Sequence, residues 1–256
     1  MIIDVMSFNL RCWTEGDGEN SWPHRLSAVV STITQYRPAI LGTQEGQPRM
    51  LADLDRSLPR YQRFGTGRDS DGGGEHNAVY YRTDQFALLE HGQFWLSKDP
   101  EAPGSRSWDS SLPRICSWGV LEANGNAGKF AVFNTHLDHV GEDARRLGAE
   151  LIWQRISPFI EQKVPCILMG DFNCEPSSTP VQFFRGHLQD ALEQMGAGGP
   201  TFHGFSGIGI GGWIDYIFAS HSIEVLEAEI IRQTVEGRYP SDHFPIRARL
   251  RLPHRP

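Results

Sequence analysis

What most constrains the fold is a rhythm of short β-type runs, with helical periodicity confined to the early and late parts of the chain. Residues 2–10 (IIDVMSFNL), 39–44 (AILGTQ), 77–82 (NAVYYR), 86–96 (FALLEHGQFWL), 115–123 (ICSWGVLEA), 129–137 (KFAVFNTHL), 165–170 (PCILMG), 213–219 (WIDYIFA), 223–231 (IEVLEAEII) and 246–252 (IRARLRL) are rich in β-branched and aromatic residues or alternate in polarity. Gly, Pro, Asp or Asn bound them. Helical spacing appears at 23–36, through Leu26, Val29, Val30 and Ile33 behind Pro23, and at 142–160, through Leu147, Leu151, Ile152 and Ile156. A shorter helix is expected at 178–186, closing on Gly186. The hairpin-rich middle does not suit one doubly wound parallel sheet. Two mixed sheets packed face to face with helices outside do suit it.

No linker, repeat or low-complexity tract divides the 256 residues, so they are read as one domain, 1–256, large enough to bury well over half of its unfolded surface. The longest irregular stretches are 11–22, 66–76, 99–113 and 196–212; loops of that length in a compact domain usually carry function. Cys12, Cys116, Cys166 and Cys174 form no CxxC pair, and Cys166 lies in an apolar run, which fits a reducing cytosol. The first residues lack the features of a signal peptide, and no run approaches the roughly 18 apolar residues of a membrane span, so a cytoplasmic protein with no membrane partner is expected. The net charge of −7 weighs against a long polyanion as main partner.

Strand after strand ends in a residue able to bind a cation or move a proton. Asn9 closes SFN, Glu45 follows LGTQ, His136 and Asp138 stand in FNTHLDH, Asp171 and Asn173 in LMGDFN, Asp215 in WIDYIF, and Asp242 with His243 in YPSDHFPI. Rigid strands aim such groups from their ends into one cleft. Taken singly each has a plain structural use: Asn9 or Asp171 in a turn, Glu45 in the first turn of a helix, His136 and His139 on the surface. An EF-hand beginning at Asp171 is excluded, because its sixth and twelfth positions are Pro176 and Gln182. The glycine-rich GFSGIGIGG leads into a strand, which excludes a P-loop and suggests a lid or hairpin.

Together, from SFNLR through QE, THLDH and GDFN to SDHFP, these segments resemble the endonuclease/exonuclease/phosphatase superfamily, the metal-dependent phosphoesterases with the deoxyribonuclease I-like fold. NSWPHR, RICSW and TFHGF resemble a compact bacterial group of that superfamily, some members of which act on sugar phosphates. The resemblance implies a four-layer α/β/β/α sandwich and Mg²⁺ or Mn²⁺ as cofactor. The oxygen donors agree, since carboxylates and an amide are the hard set such ions prefer.

On this basis Asn9 and Glu45 are expected to hold metal, with Asp242 near the same region. His243 is the expected base or proton relay, oriented by Asp215; Asp171 positions or deprotonates the water, Asn173 donates to phosphate, and His136 bonds the scissile phosphate or leaving group. Arg106, Trp108, Arg114, Asp138, His139 and His203 are expected to touch substrate, with Trp118, Phe202 and Phe205 nearby. Each of these Arg and Trp side chains has simple packing as its alternative. The expected substrate is a small, sugar-like phosphate ester; a nuclease on DNA or RNA is the second reading. A non-catalytic metal-binding relic of the fold is the third, and it fits poorly with so full a set of polar strand ends.

Overall fold

The computed structural model describes residues 1–125 and 128–253. Its strands are β1 (Ile2–Asn9), β2 (Ile40–Gln44), β3 (Tyr61–Phe64), β4 (Val79–Arg82), β5 (Phe86–Trp95), β6 (Ile115–Ala123), β7 (Lys129–His136), β8 (Cys166–Asp171), β9 (Gln189–Asp190), β10 (Asp215–Ala219), β11 (Glu224–Ile230) and β12 (Ile246–Arg251). The helices are α1 (Trp22–Tyr36), α2 (Pro48–Ser57), α3 (Glu142–Glu161), α4 (Thr179–Arg185) and α5 (Ala191–Gln194). All ten expected strands and all three expected helices are present. The periodicity reading passed over β3, β9, α2 and α5, together with a 3-10 segment at Glu15–Asn20 inside the first irregular stretch. β3 and β9 are short edge strands, and α5 is one turn. α2 does carry a signal, Pro48 followed by buried Met50, Leu51 and Leu54.

The strands form two six-stranded sheets, in the orders β11-β12-β1-β2-β4-β3 and β5-β6-β7-β8-β10-β9. In each sheet only the central pair is parallel, β1 with β2 and β7 with β8, and every flanking pair is antiparallel. A parallel pair needs a crossover, and α1 and α3 supply one each. The two halves of the sandwich thus repeat one plan and bring four parallel strand ends to the same edge.

Three apolar layers hold the four structural layers together. Ile3, Val5, Ile40, Val132, Ile167, Met169, Ile217, Ile246 and Leu250 fill the space between the sheets. Trp22, Val29, Ile33, Met50 and Leu54 seal α1 and α2 onto Met6, Phe8, Leu41 and Tyr80. Ile152, Ile156, Val181 and Phe184 seal α3 and α4 onto Phe133, Leu168, Phe172 and Phe218. The result is the deoxyribonuclease I-like α/β/β/α sandwich.

Side chains alternate across a strand, so the inward rows can be followed to their ends. Ile3 and Val5 lead to Ser7 and Asn9; Ile40 and Gly42 to Gln44; Val132 to Asn134 and His136; Ile167 and Met169 to Asp171; Ala219 and Ile217 to Asp215. The sandwich interior therefore passes from apolar to polar along its length. A buried amide network marks the change: Gln44 donates to Ser7 Oγ (3.2 Å) and Asn134 Oδ1 (2.7 Å), while Asn134 donates to the carbonyls of Thr43 (2.9 Å) and Ala78 (3.0 Å). Beyond that network lies a cavity.

Candidate functional site

His136, Asp171 and Asp215 are direct ladder partners on β7, β8 and β10, so the sheet itself sets them in a row. Asn9 ends the inward row of the facing sheet, and its amide nitrogen donates to Glu45 Oε1 and to Asp171 Oδ2, both at 2.9 Å. These two bonds close the gap between the sheets. Glu45 sits just past β2 with a φ of 61°, and Asn173 just past β8 with a φ of 49°. Left-handed backbone at a non-glycine residue is uncommon and costs energy, and such residues cluster where function fixes them.

Gly170, beneath Asp171, has a φ of 150°, and a Cβ there would lie 2.0 Å from the Thr135 carbonyl oxygen. Only glycine lets β7 and β8 approach closely at that point. At Asp171 the strand stops: Asp171 Oδ1 accepts from the Asn173 backbone N–H (2.9 Å), an Asx-turn. Asp171 and Asn173, two residues apart, therefore do not share a face as they would in extended chain. The turn instead swings the Asn173 amide back, where it donates to His136 Nε2 (2.9 Å) and to the Leu137 carbonyl (3.0 Å).

Both Asn173 N–H groups are thus spent, and His136 Nε2 is an acceptor. The Asn173 amide, expected to reach a phosphate, is here bonded to His136 Nε2 and holds that ring in place. Burial, together with the positive charge of Arg114, holds His136 well below the usual imidazole range, as a neutral ring. His243 is its opposite. Burial pulls it down, but Asp215 Oδ2 on Nδ1 (2.9 Å), helped by Asp171 and Asp242, more than offsets this and keeps it protonated. His243 Nε2 faces Asp171 Oδ2 at 3.8 Å.

Burial and the neighbouring Asp215 carboxylate push Asp171 up to about 7, against the pull of His243. Burial also raises Asp242, which lies 3.8 Å from Arg11 Nε. Burial would raise Glu45 too, but the Asn9 amide and the Cys12 backbone N–H (2.8 Å) keep it below the usual carboxylate range. Glu45, His136 and Asp171 each offer a ligand atom within 4.8 Å of the others, as do Asp171, Asp215 and His243. The carboxylates of Glu45 and Asp171 suit a divalent cation, whereas the second cluster is already an ion pair between His243 and Asp215. Of the three expected ligands only Glu45 belongs to either cluster: Asn9 turns its N–H side to the carboxylates, and Asp242 stands outside both.

The cavity has a volume of about 570 Å³. Glu45, Arg114, His136, His139, Asp171, Asn173, Asp242 and His243 line it, and so do Arg11, Cys12, Arg68, Glu75, Leu112, Phe202 and Gly211. Each of the four long irregular stretches contributes to that wall. Arg11, Arg68 and Glu75 were not foreseen, because nothing local in SFNLR or GRDSDGGGEH distinguishes them from surface charge. Arg25 was also missed. It is fully buried on α1, donates to the carbonyls of Leu10 (2.8 Å), Arg11 (3.1 Å) and Pro240 (2.7 Å), and so pins both segments that flank the site.

Several expected substrate contacts lie elsewhere. Asp138 is buried and faces away: it accepts from Ser110 Oγ, Ser111 N and Oγ, Val140 N and Gly141 N, and so fastens the 106–114 loop to the start of α3. Arg106 is exposed and bonds the Ser111 carbonyl, and neither it nor Trp108 lines the cavity. Trp118 packs on Phe133 and Phe159. His203 is fully buried, stacked 3.9 Å from Phe244, and accepts from Gly207 N; it anchors the glycine-rich loop from below. Phe202 does rim the cavity, edge-on to His243, whereas Phe205 covers Arg25.

Comparison with known proteins agrees with this architecture. The chain resembles an endonuclease/exonuclease/phosphatase from Bacteroides vulgatus, 32% identical over 99% of this chain and 100% of that one, with a TM-score of 0.93. It also resembles a mannosyl-6-phosphatase of Bacteroides thetaiotaomicron, 35% identical over 98% of this chain and 100% of that one, with a TM-score of 0.91. Protein angel of Drosophila melanogaster is 26% identical over 180 residues, 66% of this chain but 49% of that protein, so the match spans about half the length of that curated relative. The model of the Endonuclease/Exonuclease/phosphatase family matches residues 6–243, and the chain belongs to that family.

Proposed function

We propose that this chain is a metal-dependent phosphoesterase, one catalytic unit over residues 1–256, that hydrolyses a small, sugar-like phosphate ester by in-line attack of water. One observation carries the reading: both sheets end their inward rows in acid, amide and imidazole groups at a single cavity, with His243 facing the buried Asp171 carboxylate. The similar mannosyl-6-phosphatase supports the choice of substrate class. The four free cysteines, and described helices none of which is long and apolar enough to cross a membrane, support a cytoplasmic setting.

The donor set fits a hard divalent cation. The carboxylates of Glu45 and Asp171 crowd together, both bonded to one Asn9 amide, and a cation would relieve their repulsion. Glu45 and Asp171 would hold Mg²⁺ or Mn²⁺, with Asp242 close by, and the ion would supply Lewis-acid polarisation of a phosphoryl oxygen. The remaining roles belong to the chain. His243, kept protonated by Asp215, directs Nε2 at the reacting phosphoryl group and gives its proton to the leaving ester oxygen as that P–O bond breaks. Asp171 accepts hydrogen bonds from the attacking water and takes its proton. His136, held by Asn173, stays neutral and orders the Asp171 side.

A screen of purified protein with Mg²⁺ and Mn²⁺ against sugar phosphates, a generic phosphodiester, and single- and double-stranded nucleic acid tests this. Turnover of small esters that chelation abolishes is expected. Nucleic-acid cleavage without small-ester turnover would put the nuclease reading first, and turnover without metal would remove the mechanism.

A further inference from the structure

Arg114 stands just before β6, with 4% of its surface exposed, and lines the cavity. Its Nη2 donates to His139 Nδ1 (2.9 Å), and its Nε lies 3.4 Å from Asp138 Oδ2, an oxygen that already accepts from Ser110 and Ser111. Nη1 is buried with no hydrogen-bond partner. The other cationic groups of the wall are better matched. Arg11 forms two bonds with Asp17, Arg68 two with Glu75, and His243 one with Asp215. A buried guanidinium with an empty donor is costly unless an anion completes it. Arg68, Glu75 and His136 meet Arg114 around a narrow recess also lined by Asn77 and Ile115, too small to hold a water. Arg114 borders both this recess and the main cavity, and a ligand oxygen can approach the guanidinium only from the main cavity.

We propose that Arg114, backed by Arg68, makes this cavity select a dianionic phosphomonoester over a phosphodiester. The inference rests on the phosphoesterase reading and narrows its substrate. A terminal phosphate carries three non-bridging oxygens and a charge near −2 at neutral pH. A diester carries two such oxygens and a single charge, with a second ester group where the third oxygen would be. Against Arg114 that group leaves the guanidinium buried and unpaired, and sites built to bond a polar group reject analogues lacking it by large factors. His139 serves as the brace: an arginine can only donate, so Nδ1 accepts and the ring holds the guanidinium plane toward the cavity.

The test compares wild type, Arg114→Met, Arg114→Lys and Arg68→Met, each first checked for native circular dichroism and melting. With Mg²⁺ present, kcat and KM are measured for p-nitrophenyl phosphate and bis-p-nitrophenyl phosphate, and inorganic phosphate binding by calorimetry. The monoester-to-diester ratio of kcat/KM should fall about 100-fold in Arg114→Met and about tenfold in Arg114→Lys, with phosphate affinity falling in parallel. Should Arg114→Met fail to fold, Arg114→Lys and Arg68→Met carry the decision, and an unchanged ratio in both overturns the proposal. Equal losses on the two esters with unchanged phosphate affinity also overturn it. A wild-type protein that binds phosphate through Arg114 yet turns over neither ester would instead overturn the phosphoesterase reading.

Discussion

Replacing Asp215 by asparagine separates the charge of this residue from its shape. Asp215 Oδ2 lies 2.9 Å from His243 Nδ1, and both side chains are buried. Charge centres about 4 Å apart at an effective permittivity of about 20 attract by roughly 4 kcal/mol, equivalent to about a thousandfold in proton affinity. In Asp215→Asn the side-chain amide carbonyl can still accept the Nδ1 proton, so position is preserved while that attraction is lost. Burial then acts on His243 without the Asp215 charge to oppose it, and its pKa falls. Since the protonated ring is the active form, activity is lost as pH rises through that pKa, and the variant should lose it at lower pH than wild type. At neutral pH, kcat should drop roughly 10²–10⁴-fold. A pH–rate profile of both proteins on one phosphate ester checks this. Near-normal turnover with an unmoved alkaline limb would refute the assignment of His243 as the charged partner of the phosphoryl group.

Three further outcomes follow from the packing. Gly170→Ala places a methyl 2.0 Å from the Thr135 carbonyl oxygen, so β7 and β8 must part; a loss of about 3 kcal/mol is expected by urea unfolding, and a change below about 1 kcal/mol would mean that the strands yield freely. Asp138→Ala removes the acceptor that ties the 106–114 loop to α3 and leaves Arg114 with less compensation, costing about 3–5 kcal/mol; hydrogen exchange should show the loop amides of Ser111 and Gly141 losing protection. Burial lowers His203 to about 4 from its ordinary 6.5. The unfolded chain then binds the extra proton first, so the His203 contribution is complete above pH 6.5 and fades as pH falls to about 4. It is worth at most about 3 kcal/mol. Urea midpoints at about pH 7 and about pH 4.5 should differ less in His203→Gln than in wild type, and equal differences would exclude the ring as a source of acid sensitivity.

Much of the molecule was legible in one dimension, wherever the cause was local. Runs rich in β-branched and aromatic residues or alternating in polarity located ten of the strands because each must bury one or both faces against a layer. Pro23 and the spacing of Val29 and Ile33 located α1 for the same reason. The polar strand ends could be found because several apolar rows stop together at groups, Asn9, His136, Asp171 and Asp215, that need polar partners once buried. Even the turn at Asp171 was readable, since an Asx-turn is made by a side chain and backbone two residues apart.

Partners set by the third dimension were not. The sequence alone determined ten of the strands, that they form mixed sheets, and which residue types stand at their ends. Only the tertiary structure decided that Asn9 meets Asp171 across 162 residues, that Asn173 serves His136 in place of a ligand, and that Asp138 fastens a loop while Arg114 faces the cavity. The physical reason is one of range. Periodicity and turn chemistry depend on neighbours a few residues away, whereas the direction of a buried charge depends on which donors, acceptors and charges the packed sheets bring within a few ångströms of it.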